Sequence, residues 1–144
     1  MQRTILAALL LLSACAQPQA VPLRTIGEIE FAPPSIAGDW WGTLQVGERK
    51  LRLIVHFTDF DRDGVYEGTL DSIDQGSRGL PLSNVEVTAE KIVDQALIFP
   101  TLSFDLREVG GKFVGRLEDE TWVGLWSQGS QIPLVLERGS PEPD

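Results

Sequence analysis

The sequence of 144 residues holds one cysteine, one histidine, one methionine and one tyrosine. A single Cys forbids any disulfide within the chain. A single His excludes metal sites built from two or more histidines, His-x-x-x-His zinc sites among them. Basic residues are also short: 12 Lys and Arg stand against 21 Asp and Glu, giving a net charge of −9. Nucleic acid demands a basic face, so it is excluded as a partner. The length suits one small domain with a leader and a tail.

Catalytic signatures are missing too. None of Ser72, Ser77, Ser83, Ser127 and Ser130 lies in Gly-x-Ser-x-Gly or Ser-x-x-Lys. His56 sits between Val55 and Phe57 on an expected strand and reads as a structural or surface residue. Glu118, Asp119 and Glu120 form a run at an expected hairpin end, and a solvated turn explains them better than a glycosidase pair. No catalytic residue and no cofactor is expected, and the chain reads as non-enzymatic.

What is present begins with the N-terminus. Arg3 precedes the apolar run Ile5 to Leu12, and small residues follow. This is the pattern of a secretory signal peptide over 1–14, too short for a mature membrane span. Its end, Leu12-Ser13-Ala14-Cys15, resembles the bacterial lipobox. The resemblance implies that the Cys15 thiol takes a diacylglyceryl group and becomes the new N-terminus. Several acyl chains, at about 0.8 kcal/mol per buried CH₂, anchor durably without a transmembrane helix. Ala16 follows the Cys where an Asp would imply inner-membrane retention. The expected place is therefore the bacterial cell envelope, on the outer membrane facing the periplasm.

Residues 15–37 carry Pro18, Pro22, Pro33 and Pro34 and read as a flexible tether. Residues 139–144 read as a polar tail. The domain expected between them, 38–138, alternates apolar and polar residues. Eight period-two runs are centred on Trp40–Val46, Leu51–Phe57, Tyr66–Leu70, Val85–Ala89, Leu102–Leu106, Phe113–Leu117, Trp122–Trp126 and Ile132–Leu136. The fold class is thus all-β, a small meandering antiparallel barrel of about eight strands. Glycines inside the alternation, such as Gly115 and Gly124, mark close backbone approach and favour a barrel over a sandwich. Residues 88–97 stay open between a helix capped by Thr88 and an extra strand.

Three constellations are candidate sites. Asp59, Asp61 and Asp63, followed by Gly64, match the opening of a calcium loop. The twelfth position is Leu70 rather than Glu, so a charged turn is the expected reading and no metal is assigned. Asp71-Ser72-Ile73-Asp74-Gln75-Gly76 reads either as a structural turn or as the rim of a binding mouth. Trp40, Trp122 and Trp126 are either barrel core or the lining of a ligand pocket; Trp41, next to Trp40 on a strand, must face the other way.

Gly38-Asp39-Trp40-Trp41-Gly42-Thr43-Leu44, Leu70-Asp71-Ser72-Ile73-Asp74-Gln75-Gly76, Gly111-Lys112-Phe113-Val114-Gly115-Arg116-Leu117 and Gly124-Leu125-Trp126-Ser127-Gln128-Gly129 occur in that order. As a set they resemble the small N-terminal β-domain of secreted bacterial α/β-hydrolases and serine-β-lactamase-like hydrolases. That domain is similar to the calycins, the class of lipocalins and fatty-acid-binding proteins. The resemblance implies fold, secretion and a binding or accessory character. No hydrolase module follows residue 138, so it carries over no catalytic residue. Two functions are expected: a lipid-anchored barrel binding an apolar small molecule, lipid or partner, or an accessory subunit docking on a separate secreted hydrolase.

Overall fold

The computed structural model describes residues 28–142. Cys15, the expected leader and most of the expected tether lie outside the described residues. The strands are β1 (Ile29–Glu30), β2 (Gly38–Val46), β3 (Arg49–Thr58), β4 (Glu67–Ser72), β5 (Ser77–Pro81) and β6 (Ser83–Val87). They continue with β7 (Lys91–Val93), β8 (Ala96–Ile98), β9 (Thr101–Leu106), β10 (Gly111–Glu118), β11 (Thr121–Gln128) and β12 (Ser130–Arg138). The protein is an all-β barrel, as the alternation implies.

Nine strands form one antiparallel sheet in the order β5-β4-β3-β2-β12-β11-β10-β9-β6. Each of the eight expected runs becomes one of them. The ninth is β5, whose Gly79 at positive φ and terminal Pro81 break any alternation. The two edges of the sheet, β5 and β6, are consecutive in sequence and joined by Leu82 alone. The Leu82 N–H donates to the Gly68 carbonyl on β4 at 2.9 Å. One bent stretch of chain thereby carries both edges, and the sheet is nearly closed.

Residues 88–97 form no helix. Lys91–Val93 and Ala96–Ile98 pair as a hairpin, and β1 pairs with β7 to complete a three-stranded flap. Asp94 and Gln95 turn the hairpin with φ of 49° and 69°, the left-handed pair that matches the strand twist. Ile36 is fully buried, so packing already begins before residue 38.

Alternation determines the core. From β3, Leu53, Val55 and Phe57 point inward, while Arg52, Ile54 and His56 lie on the outer face. They meet Leu102, Phe104 and Leu106 of β9, Phe113 of β10, and Leu134 and Leu136 of β12. Phe104 stacks on Phe113 at 5.2 Å and meets Phe57 edge-on at 5.8 Å. Gly115 and Gly124 face each other across β10 and β11. A Cβ on Gly124 would fall on the Val114 carbonyl and the Gly115 backbone, so these strands approach as only glycine permits.

Candidate functional site

The barrel has a plugged end and an open end. At the plugged end Ile36 and Trp40 close the interior. The Trp40 Nε1–H donates to the Ile36 carbonyl at 2.8 Å, and Trp40 meets Trp122 edge-on at 6.2 Å. The Arg138 guanidinium covers the outer side of Trp40, 4.3 Å from the ring centroid. Two of the three candidate pocket tryptophans, Trp40 and Trp122, are therefore packed as core and stopper.

The third, Trp126, lies elsewhere. It borders a cavity of about 290 Å³ at the open end. Leu44, Leu53, Leu70, Leu106 and Trp126 are buried residues of its wall. Val46, Leu51, Leu80, Val109 and Ile132 surround its upper part. The turn 46–49, the two short 3₁₀ turns Ile73–Gln75 and Arg107–Val109, and the turn around Gly129 ring the mouth. The lining is mostly aliphatic because inward-facing positions of six strands, β2, β3, β4, β5, β9 and β12, supply it, and Trp126 of β11 is its one aromatic residue.

Polar groups converge only at the mouth. The Ser72 hydroxyl donates to Gln75 Oε1 at 2.8 Å, and the Trp126 Nε1–H donates to Gln128 Oε1 at 3.1 Å. Ser72, Gln75 and Gln128 all line the cavity. The segment 71–76 is thus both a turn and a rim: Ile73–Gln75 is one 3₁₀ turn ended by Gly76 at φ 68°. Asp74, on the outside of that turn, receives the Arg52 backbone N–H at 2.6 Å and the Arg52 guanidinium at 2.9 Å. The guanidinium bonds hold the Asp74 carboxyl below its ordinary range. This clamp ties the rim to β3. A small apolar molecule fits such a site: an aliphatic chamber with a few oriented polar groups at its entrance.

No match was found among family models, curated proteins or solved structures.

The remaining candidates separate cleanly. Asp59, Asp61 and Asp63 lie in an exposed loop between β3 and β4. The Asp59 carboxylate accepts the N–H groups of Asp63 and Gly64 at 3.2 and 3.3 Å, and Asp63 accepts that of Val65 at 2.9 Å. These are turn bonds, and among the described residues no group of three acidic, His or Cys side chains is arranged to hold a metal. His56 stands on the outer face between two carboxylates, with Nδ1 2.7 Å from Asp39 and Nε2 3.4 Å from Asp71. Burial pulls its pKa down, but the bonds to Asp39 and Asp71 outweigh this and raise it. Desolvation pushes Asp71 up, yet the Gly79 N–H and His56 bring it below its ordinary value. The trio clamps β2, β3 and β4 across the outside and does not line the cavity beside Trp126.

Sequence reasoning missed Gln128 and the ring of leucines. Gln128 stood only as part of the segment Gly124-Leu125-Trp126-Ser127-Gln128-Gly129 and not as a site residue, and Leu44, Leu53, Leu70 and Leu106 were indistinguishable from other core positions. A second feature was also unmarked: Val114, Leu125 and Pro133 adjoin across β10, β11 and β12 on the outer face. Val114 and Leu125 are each over 40% exposed.

Proposed function

We propose that this chain is a non-enzymatic, lipid-anchored barrel of the bacterial cell envelope that takes a small apolar molecule into the cavity beside Trp126. The observation that carries the binding claim is the aliphatic chamber, open at one end and rimmed by Ser72, Gln75 and Gln128. The lipobox-like Leu12-Ser13-Ala14-Cys15 supports the anchor. The order of strands, a meander whose first and last long strands pair, supports a calycin-like architecture. Native mass spectrometry of the protein extracted from its own membranes tests the binding claim: a bound species that is lost in Leu70→Trp, with wild-type circular dichroism retained, supports it. Wild-type protein that carries no added mass and takes up no apolar probe refutes it. Radioactive fatty acid tests the anchor, because Cys15→Ala removes the only thiol; equal label in wild type and variant ends that claim.

A second reading, docking on a separate secreted hydrolase, is favoured by the outward apolar row Val114, Leu125 and Pro133. A neighbouring gene for a hydrolase without its own N-terminal β-domain would favour it further. In that case Leu125→Asp should abolish co-purification of the two proteins.

A further inference from the structure

The charges of the chain are unevenly placed, and so are the hydrogen-bond donors at the mouth. The deficit behind the net charge of −9 gathers around the plugged end and its loops, where Asp59, Asp61, Asp63, Glu118, Asp119 and Glu120 lie. The open half is close to balanced. Arg49 and Lys50 stand there side by side, in a depression that shares Val46, Leu51 and Gln75 with the cavity. Arg49 continues the inward-facing row Phe57, Val55, Leu53 and Leu51, one step beyond the last leucine, so the pleat sets it over the mouth. The one acid lining that depression, Asp74, is engaged by Arg52. Among the described residues neither Arg49 nor Lys50 has an ion-pair partner.

The amides point to the same chemistry. An indole N–H can only donate, so the Gln128 atom facing Trp126 is its oxygen. The Gln128 NH₂ is thereby turned away from the ring, with its donors left over. Gln75, whose oxygen accepts from Ser72, likewise keeps its NH₂. Among the described residues neither NH₂ group donates to a protein acceptor. Two amide NH₂ groups thus line the mouth of the aliphatic chamber, and the Arg49 guanidinium and the Lys50 ammonium stand in the depression that adjoins it. The mouth offers donors and positive charge.

Resting on the cavity reading above, we propose that the ligand is a single-chain anionic amphiphile. Its tail fills the chamber, and its carboxylate or phosphate head sits between Arg49, Lys50 and the amides of Gln75 and Gln128. A chamber of about 290 Å³ holds about ten non-hydrogen atoms at ~30 Å³ each. That sets the probe length at a decyl chain.

The experiment titrates the full chain carrying Cys15→Ser with decanoate, decyl phosphate, decanoyl lysophosphatidylglycerol, decanol and decyltrimethylammonium. Tryptophan emission and calorimetry read binding below micelle formation. At low salt an anionic probe should bind roughly fivefold more tightly than decanol, the modest factor expected of exposed charges. Decyltrimethylammonium should bind most weakly. High salt should erase the anionic preference, as should Arg49→Ser/Lys50→Ser. Gln128→Glu, which keeps an acceptor for the Trp126 N–H but replaces the NH₂ by an anionic oxygen, should bring the ratio of decanoate to decanol affinity to about one or below. Tightest binding of decanoate names a free fatty acid as the source, of decyl phosphate a phosphate monoester, and of the lysolipid a phospholipid head. Decanol bound as tightly as every anion overturns this inference and leaves the cavity reading standing. Failure of all five probes overturns both.

Discussion

Trp126 and Gly111 offer the sharpest quantitative test of the packing at the open end. Gly111 is buried at the start of β10, and a Cβ placed on it would fall on the Trp126 indole, with ring atoms well inside van der Waals contact. Gly111→Ala is thus an overpacking change and should cost about 1–3 kcal/mol. Trp126→Ala removes a ring that is 3% exposed, paired across the sheet with Phe113 and Ile132, and hydrogen-bonded to Gln128. Large-to-small changes of this kind cost about 3–5 kcal/mol. The lower end is expected, because one side of the ring already borders a cavity and has fewer partner atoms to lose. In the double variant the clash has no ring to meet. Its cost should then equal that of Trp126→Ala alone, so the two changes couple by about 1–3 kcal/mol. Urea unfolding of the full chain carrying Cys15→Ser, followed by far-UV circular dichroism, measures all three. Costs that simply add, to within ~0.5 kcal/mol, would show that Gly111 and the indole do not share this space.

Three further outcomes follow from local geometry. The His56 pKa is raised above 6.5 in the folded protein, so its contribution is complete below that value and is lost as pH rises through the folded pKa. The urea midpoint of wild type should exceed that of His56→Asn most near pH 6 and least near pH ~9, and a gap that widens with pH refutes the clamp. Calcium should leave the melting temperature unchanged, because Asp59 and Asp63 serve the turn; Asp59→Ala should lower stability by roughly 1–2 kcal/mol, and a calcium-induced rise that vanishes in Asp61→Ala would reverse the reading. Asp119 and Glu120 hold φ of 45° and 64° in the turn between β10 and β11, so Glu120→Gly should stabilise the protein by about 0.5–1 kcal/mol, seen as a higher urea midpoint.

The strands were legible where one face is buried and the other wet. Leu51 to Phe57 alternate because β3 lies between two neighbours in a one-sided sheet, and the pleat writes burial directly into sequence. The flap was not legible for the same reason. Ile92 and Val93 are only partly covered, and Ala96, Leu97 and Ile98 are exposed, so their apolar residues follow no period of two. The turn between them uses Asp94 and Gln95 in the left-handed region rather than the Gly that would have announced it. The tryptophans show the limit of residue type as a guide. Trp40, Trp122 and Trp126 share inward parity, yet only height along the barrel axis puts Trp126 beside the cavity. Parity is local and readable; height depends on how strands stagger when the sheet closes, which no single segment records. The rim formed by 71–76 was partly visible, because its Asx and Gly chemistry signals a turn, while its neighbour Gln128 comes from the far side of the closed sheet.

The pairing of β2 with β12 also bears on when this molecule can fold. Trp41 lies opposite Glu137, and Trp40 opposite Arg138, so the seam joins residues from the two ends of the barrel's own sequence. Every other neighbour in the wall can form as a local hairpin or a short excursion, but this ladder must wait until Arg138 is free to pair. Such long-range closure slows folding, because loop entropy is lost before contacts compensate it. A nascent chain can therefore form its hairpins, but it has no means of completing its wall until its last long strand has been delivered. The same registry that makes the barrel whole therefore also sets when it can become whole.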